Sequence, residues 1–89
     1  MADLVFAKAF RRHVDCPDAS APGDDLRSVL DHYFADHPGV RGYVLDDAGA
    51  VRKHIAVFVD GDLITDRLDL TDPVEEHSTI HVFQALSGG

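Results

Sequence analysis

One apolar stripe, in residues 24–36, restricts the folds open to this chain more than any other feature. Its apolar side chains recur at the spacing of one face of an α-helix; they are Leu26, Val29, Leu30, Tyr33 and Phe34. Asp24 and Asp25 stand at the start, where the helix dipole favours carboxylates. Residues 37–39 (HPG) predict the end, because the residue before proline avoids helical angles. A helix of about three turns cannot bury such a stripe alone, so it must lie across a sheet.

The second half of the chain supplies strands for that sheet. Residues 55–59 (IAVFV) form a β-branched run too apolar for an edge, and we expect them to form an interior strand. The dipeptide Asp60-Gly61 predicts a tight hairpin turn into a short strand at residues 63–64. Residues 79–86 predict the last strand.

Two connecting segments are less regular. Residues 43–45 and Val51 flank a predicted turn at residues 46–49. Leu68 and Leu70 are expected to pack inward within the connection that precedes the last strand.

The N-terminal part predicts two further strands. Alternating side chains in residues 4–11 predict the first. Residues 13–15 predict a second, antiparallel strand, which Pro17 and Pro22 confine to an edge. The pattern as a whole indicates the α+β class and the β-grasp arrangement, a mixed sheet of four to five strands with one main helix across it. We expect residues 1–85 to form this single domain and residues 86–89 to form a flexible C-terminal diglycine tail.

Charge and cysteine content limit the classes of partner. A net charge of −8 with eight Lys and Arg residues argues against nucleic acid and against an anionic membrane. Any charged partner surface is expected to be basic, unless the acidity serves solubility alone. A single cysteine, Cys16, forms no internal disulfide, and the N-terminus lacks the pattern of a secretory signal, which favours a cytoplasmic protein.

The stretch at residues 86–89 (LSGG) carries the candidate chemical group. Glycines lack Cβ, so Gly88 and Gly89 can thread a narrow channel and present a backbone carbonyl to a partner's catalytic atoms. The reactive group is then the α-carboxylate of Gly89. Because an α-carboxyl group ordinarily has a pKa of about 3.5, it is ionised at neutral pH and is a poor electrophile, so acyl chemistry would need activation by a second protein. The alternative is a frayed terminus without a function.

Three segments in this order resemble the ubiquitin-like sulfur carriers, the family of the small subunit of molybdopterin synthase (MoaD) and of the thiamine-pathway carrier (ThiS). They are residues 37–41 (HPGVR) after the helix, residues 55–61 (IAVFVDG) and the terminal LSGG. The tail is also similar to that of ubiquitin itself. The resemblance covers nearly the whole chain from Asp24 onward.

The resemblance implies a carrier protein and not an enzyme. An E1-like adenylating enzyme would use Mg-ATP to activate Gly89, and a cysteine desulfurase or rhodanese-like donor would supply persulfide sulfur. The resulting thiocarboxylate would serve an acceptor such as a molybdopterin synthase large subunit or a thiazole synthase. Gly88 and Gly89 would be the chemical site, and Phe83, Leu86 and Ser87 would bind partners. The carrier itself would bind no cofactor, and the pathway stays open.

Alternatives remain for the function and for Phe83. The chain could be a protein modifier joined through Gly89 to target lysines, or an interaction domain with an inert tail; a precursor extending past Gly89 is also possible. Phe83, in the last predicted strand, could instead belong to the core.

No other constellation favours catalysis or a metal site. Cys16 is expected to be an unreactive cysteine in an edge strand. His77 and His81 would lie about 13 Å apart along a strand, too far to share an ion, so we expect no metal site. The aspartates of residues 60–72 are expected to form a solvated acidic face.

Overall fold

The computed structural model describes residues 1–12 and 14–84. The strands are β1 (Ala2–Phe6), β2 (Ala19–Ala21), β3 (Ile55–Val59), β4 (Asp62–Leu63) and β5 (Thr79–Gln84). The helices are α1 (Lys8–Arg11), α2 (Leu26–Asp36) and α3 (Pro38–Val44). Among the described residues, all three helices are too short to span a bilayer.

The five strands form one mixed sheet in the order β2-β1-β5-β3-β4. The pair β1 and β5 is parallel; the other three neighbouring pairs are antiparallel. The parallel neighbours at the centre of the sheet are thus the first and the last strand in sequence, which requires the chain between them to cross the sheet. The helix α2 makes that crossing, and the predicted β-grasp arrangement is confirmed.

The core lies between α2 and one face of the sheet. All five residues of the predicted stripe are buried. Sheet residues that alternate along the strands meet this stripe and are almost fully buried; they include Leu4, Val57, Ile80 and Val82. The Phe6 and Tyr33 rings, for example, lie 5.2 Å apart between their centroids. The helix starts at its N-cap Asp25, whose carboxylate accepts the Ser28 N–H at 2.8 Å.

The hairpin between β3 and β4 has the predicted tight turn. Asp60 and Gly61 both have positive φ, 51° and 87°, as a two-residue turn between twisted strands requires. Phe58 pairs with Leu63 and Val59 with Asp62 across it. The strand β3 lies inside the sheet, as its β-branched run predicts.

Two predictions for the N-terminal region are wrong. The first strand ends at Phe6 and not at residue 11, because the chain turns into α1 and so buries Phe10 edge-to-face against Phe6. The second strand is residues 19–21 and not 13–15. Before it, the Asp18 carboxylate accepts the Phe6 N–H at 3.1 Å, so strand pairing with β1 begins only at Ala19. The edge position and antiparallel direction of this strand are confirmed.

Two further differences lie in the connections. Pro38 ends α2 but also starts α3, since proline is tolerated in the first turn of a helix. Residues 43 and 44 are therefore helical, and only Leu45 bridges Val51. Leu70 is buried as predicted, whereas Leu68 is 70% exposed.

Candidate functional site

The end of β5 is the point from which the predicted tail departs. Gln84 is the last described residue, and its Cα partner is Ile55 at the start of β3. On the other side Ala7, which follows β1, donates its N–H to the Val82 carbonyl at 3.0 Å. The predicted site residues Leu86, Ser87, Gly88 and Gly89 lie outside the described residues. Of the sequence-predicted site, the structure therefore places Phe83.

Phe83 lies on the face of the sheet opposite α2. Its side chain is 42% exposed, so it is not a core residue. It packs edge-to-face on Phe58 of β3, with ring centroids 5.6 Å apart. On its own strand it stacks on His81, with centroids 5.9 Å apart and an interplanar angle of 16°.

Strand register places further apolar side chains in the same surface. Phe58 is the partner of both His81 and Leu63, and His81 is the partner of Val5. We refer to Val5, Phe58, Leu63, His81 and Phe83 as the open face. Leu63 is 55% exposed and the other four are exposed or half-buried. Side chains of β3 and β5 point alternately to the two faces of the sheet. This alternation indicates a shared apolar surface only when the neighbours of each strand in the sheet are known.

A shallow pocket of about 230 Å³ lies beside the C-terminal end of β5. It is lined by Phe10 of α1, Tyr43 of α3, and His54, Ile55 and Gln84. Tyr43 is 44% exposed. The prediction that residue 43 flanks a turn gave no indication of this pocket, because it depends on α3 packing next to the start of β3.

The predicted solvated acidic face is in part a set of loop-binding carboxylates. Asp66 accepts the Thr71 hydroxyl at 2.6 Å and the Asp69 N–H at 2.9 Å, and these bonds lower its pKa to about 2. The Thr65 N–H lowers the pKa of Asp72 in the same way. Asp60 accepts the Thr79 N–H at 2.8 Å and the Ser78 hydroxyl at 2.7 Å, and its pKa is also lowered. These aspartates hold the connection between β4 and β5 in place, while Asp62 and Asp69 are exposed.

Cys16 is buried and lies in the connection between α1 and β2, not in an edge strand. Burial raises the pKa of its thiol, which disfavours the nucleophilic thiolate. Burial also raises the pKa of the adjacent Tyr33 to about 12, and the Tyr33 hydroxyl donates to the Pro17 carbonyl at 2.7 Å.

Within residues 1–12 and 14–84, no three His, Cys, Asp or Glu side chains converge as metal ligands would.

Fold and site together define a small protein of the ubiquitin-like β-grasp class with an apolar face on its last described strand. The chain belongs to the ThiS family, whose model matches residues 4–89. Members of this family are small carrier proteins, not catalysts. Compared with curated proteins, the sequence has no significant match.

Solved structures of low sequence identity share the fold. SAMP1 from Haloferax volcanii has 20% identity and a TM-score of 0.76, with 99% of this chain and 98% of that chain covered. A chain of the Amycolatopsis orientalis BexX/CysO complex has 18% identity and a TM-score of 0.83, with both chains covered completely. Mycobacterium tuberculosis CysO, described as an antigen, has 16% identity and a TM-score of 0.78, with 97% of this chain and 100% of that chain covered.

Proposed function

We propose that this protein carries sulfur as a thiocarboxylate on Gly89. The observation that most supports the proposal is the ThiS-family match, which extends through Gly88 and Gly89. The fold adds to it, since β5 leads toward these residues from the middle of the sheet, beside the open face.

The chemistry begins with activation of the carboxylate. A Gly89 carboxylate oxygen attacks the α-phosphorus of ATP in an E1-like enzyme, pyrophosphate leaves, and an acyl-adenylate forms. The adenylate supplies the good leaving group that the ionised carboxylate lacks. The ATP and its Mg²⁺ belong to the activating enzyme, and the carrier binds neither.

Sulfur then replaces the nucleotide. The terminal sulfur of a cysteine persulfide, from a desulfurase or rhodanese-like donor, attacks the acyl carbon and AMP leaves. A second thiol attacks the donor cysteine sulfur of the resulting acyl disulfide. This step forms a new disulfide and releases the thiocarboxylate, which then gives its sulfur to an acceptor enzyme. The cytoplasm, with its reducing thiol pool, is the compartment in which we expect this chemistry.

The open face supplies the docking surface for the activating enzyme. An enzyme that encloses Gly89 must lie next to the end of β5, and Phe83 is the exposed aromatic side chain next to the last residue of that strand. Exposed aromatic residues in well-packed contacts contribute much of the binding energy of protein interfaces. Leu86 and Ser87 would line the route of the tail into the active site.

Mass spectrometry of the tail tests the proposal. The chain is co-expressed with an E1-like enzyme and a cysteine desulfurase, and replacement of one oxygen by sulfur on the terminal peptide is the expected result. Alkylation of the tail separates this product from oxidised Met1 or Cys16, which have nearly the same mass shift. Deletion of Gly89 is the matched control and should abolish the modification. An unmodified tail in the intact chain would contradict the proposal.

Conjugation to proteins is the second candidate function. It is favoured by the fold shared with SAMP1 from Haloferax volcanii, which is named a small archaeal modifier protein. Here the activated Gly89 would form an isopeptide bond with a target lysine. Diglycine remnants on lysines of cellular proteins would be its signature, and their absence from cells that express the chain would count against it.

A further inference from the structure

The segments that flank the two ends of β5 differ in charge. Since β5 lies between β1 and β3, two segments flank its end: residues 8–12, which follow β1, and residues 52–54, which precede β3. The helix α1 contacts β5 directly. Neither segment contains an acidic residue, and together they hold five of the eight Lys and Arg residues. These are Lys8, Arg11, Arg12, Arg52 and Lys53, which we refer to as the basic collar.

The opposite end of β5 is acidic. The turn at residues 60–62 is tied to the first residue of β5 by the bond from the Thr79 N–H to Asp60. Residues 72–76 lead into the same strand end, and the Ser78 N–H donates to the Glu75 carbonyl at 3.1 Å. These two segments hold five carboxylates and no base; they are Asp60, Asp62, Asp72, Glu75 and Glu76. The net charge of −8 therefore conceals two basic segments beside the end from which the tail leaves, where the Asp18 carboxylate pairs with Arg11.

Three of the collar side chains are available to a partner. Among the described residues Arg11 forms the one ion pair, with Asp18 at 2.7 Å. Arg52 donates its Nε–H to the Gly42 carbonyl at 2.7 Å. Lys8, Arg12 and Lys53 are exposed and take part in no ion pair within the described part of the chain. In contrast, Arg27 and Arg67, outside the collar, donate to backbone carbonyls and are occupied in holding the fold.

We propose that the basic collar docks against an acidic rim around the active-site mouth of the enzyme that adenylates Gly89. This inference rests on the proposed function and adds the charge of the partner's surface to it. The net charge of the chain predicts a basic partner surface, whereas the local charge at the tail end predicts the reverse.

The length of the tail favours a protein surface, and not the nucleotide, as the target of the collar. The five residues from Ala85 to Gly89 span up to about 17 Å when extended, at about 3.3 Å each. With the tail extended in the partner, the reacting carboxylate and its ATP would lie up to roughly two Debye lengths from the end of β5, since that length is about 8 Å at physiological ionic strength. The collar would then act weakly on the phosphates, and it lies next to whatever surface the tail enters.

The charge difference between the two ends of β5 would also orient the carrier as it approaches the adenylating enzyme. An acidic rim attracts the collar and repels the acidic end, so the molecule approaches with its tail first. Electrostatic steering of this kind raises association rates by about 10- to 1000-fold at low salt and is lost as salt rises.

The test compares two triple variants of equal net charge. K8Q/R12Q/K53Q removes three positive charges from the collar. A48E/L68E/H77E adds three negative charges at exposed positions away from it. Both change the net charge from −8 to −11, because −8 − 3 = −11. The probe is the adenylating enzyme with ATP, and the measurement is kcat/KM for carrier-dependent pyrophosphate release across a range of salt concentrations; thermal unfolding checks that both variants fold.

We expect the collar variant to lose about tenfold in kcat/KM at low salt, the lower bound for steering. The charge-matched variant should lose clearly less, because its added charges lie away from the contact and the Coulomb interaction weakens with distance. The difference between wild type and collar variant should close at high salt. Equal rates for the two variants, or a difference independent of salt, would overturn the collar and leave the carrier function standing. If the unmodified chain is not adenylated at any salt concentration, the proposed function fails and the inference fails with it.

Discussion

At the scale of single residues, a substitution of Phe83 tests whether its side chain serves docking or the stability of the fold. The F83A variant should lose about 0.5 kcal/mol of stability, the typical contribution of a cross-strand aromatic pair. Its kcat/KM with the activating enzyme should fall by about tenfold or more, because truncating a contact of this kind costs more than about 1.4 kcal/mol of binding energy.

Leu68 is the matched control for Phe83. It is 70% exposed and lies outside the open face, so L68A should leave activation unchanged. Steady-state kinetics and urea unfolding measure the two effects separately. If F83A is activated at the wild-type rate, Phe83 has no docking role.

The buried Tyr33 hydroxyl has a structural role. It is 2% exposed, and its hydroxyl donates to the Pro17 carbonyl, which fixes the connection that leads to β2. The Y33F variant should lose about 1 kcal/mol, the net contribution of one hydrogen bond, and about 4–8 °C in Tm for a domain of this size. Y43F alters an exposed tyrosine and should leave Tm unchanged. Equal Tm values for Y33F and wild type would show that the bond does not contribute.

At the scale of elements, the start of α2 depends on one of two adjacent aspartates. Asp25 is the N-cap, and the Ser28 N–H that it accepts lowers its pKa. D25A should therefore cost about 1 kcal/mol, within the range for N-cap removal. D25N should retain most of the stability, because asparagine is an equally good cap.

Asp24 is the control for the cap, since only its backbone carbonyl takes part in a described bond, with the Val74 N–H. D24A should cost a few tenths of a kcal/mol through the helix dipole alone. Urea unfolding provides all three values. Equal losses for D24A and D25A would mean that general charge, and not the cap, stabilises the helix start.

The sequence predicted the elements that depend on neighbouring residues and missed those that depend on packing between distant parts of the chain. The α2 stripe, the interior strand β3 and the Asp60-Gly61 turn depend on periodicity or on backbone angles of adjacent residues, so their patterns were sufficient. The helices α1 and α3 were missed because short segments acquire helical structure from packing. Phe10 is buried in α1, which contacts β5, and Val44 in α3, which contacts α2.

At the scale of the whole molecule, four carboxylates make stability depend on acid pH. The pKa values of Asp25, Asp60, Asp66 and Asp72 are all lowered in the folded state by hydrogen bonds, that of Asp66 to about 2. Their pKa values in the unfolded chain lie at about 3.9. The folded state binds fewer protons than the unfolded state between these values, so the stabilisation is complete above about pH 4 and is lost as pH falls toward about 2.

A competing effect has the opposite sign. Protonation also relieves the repulsion within a chain of net charge −8, which would stabilise the folded state. Bonds of 2.6–2.9 Å to Asp66 are short-range and specific, whereas distant like charges are screened by salt. We therefore expect the urea midpoint to fall between about pH 4 and pH 2. D66N should reduce this fall; a midpoint that rises on acidification would show that repulsion dominates.

The sequence by itself determined the fold class, the main helix, the hairpin turn and the edge position of the second strand, and it predicts the tail as the candidate site. Each of these is encoded in neighbouring residues, through helical or strand periodicity, turn chemistry and the limits that proline sets. Only the tertiary structure decided that Phe83 faces outward on the open face, that Tyr43 lines a pocket beside the tail end, and that the basic collar surrounds the end of β5. These features join residues far apart in sequence, and their positions follow from the strand order that places β5 between β1 and β3.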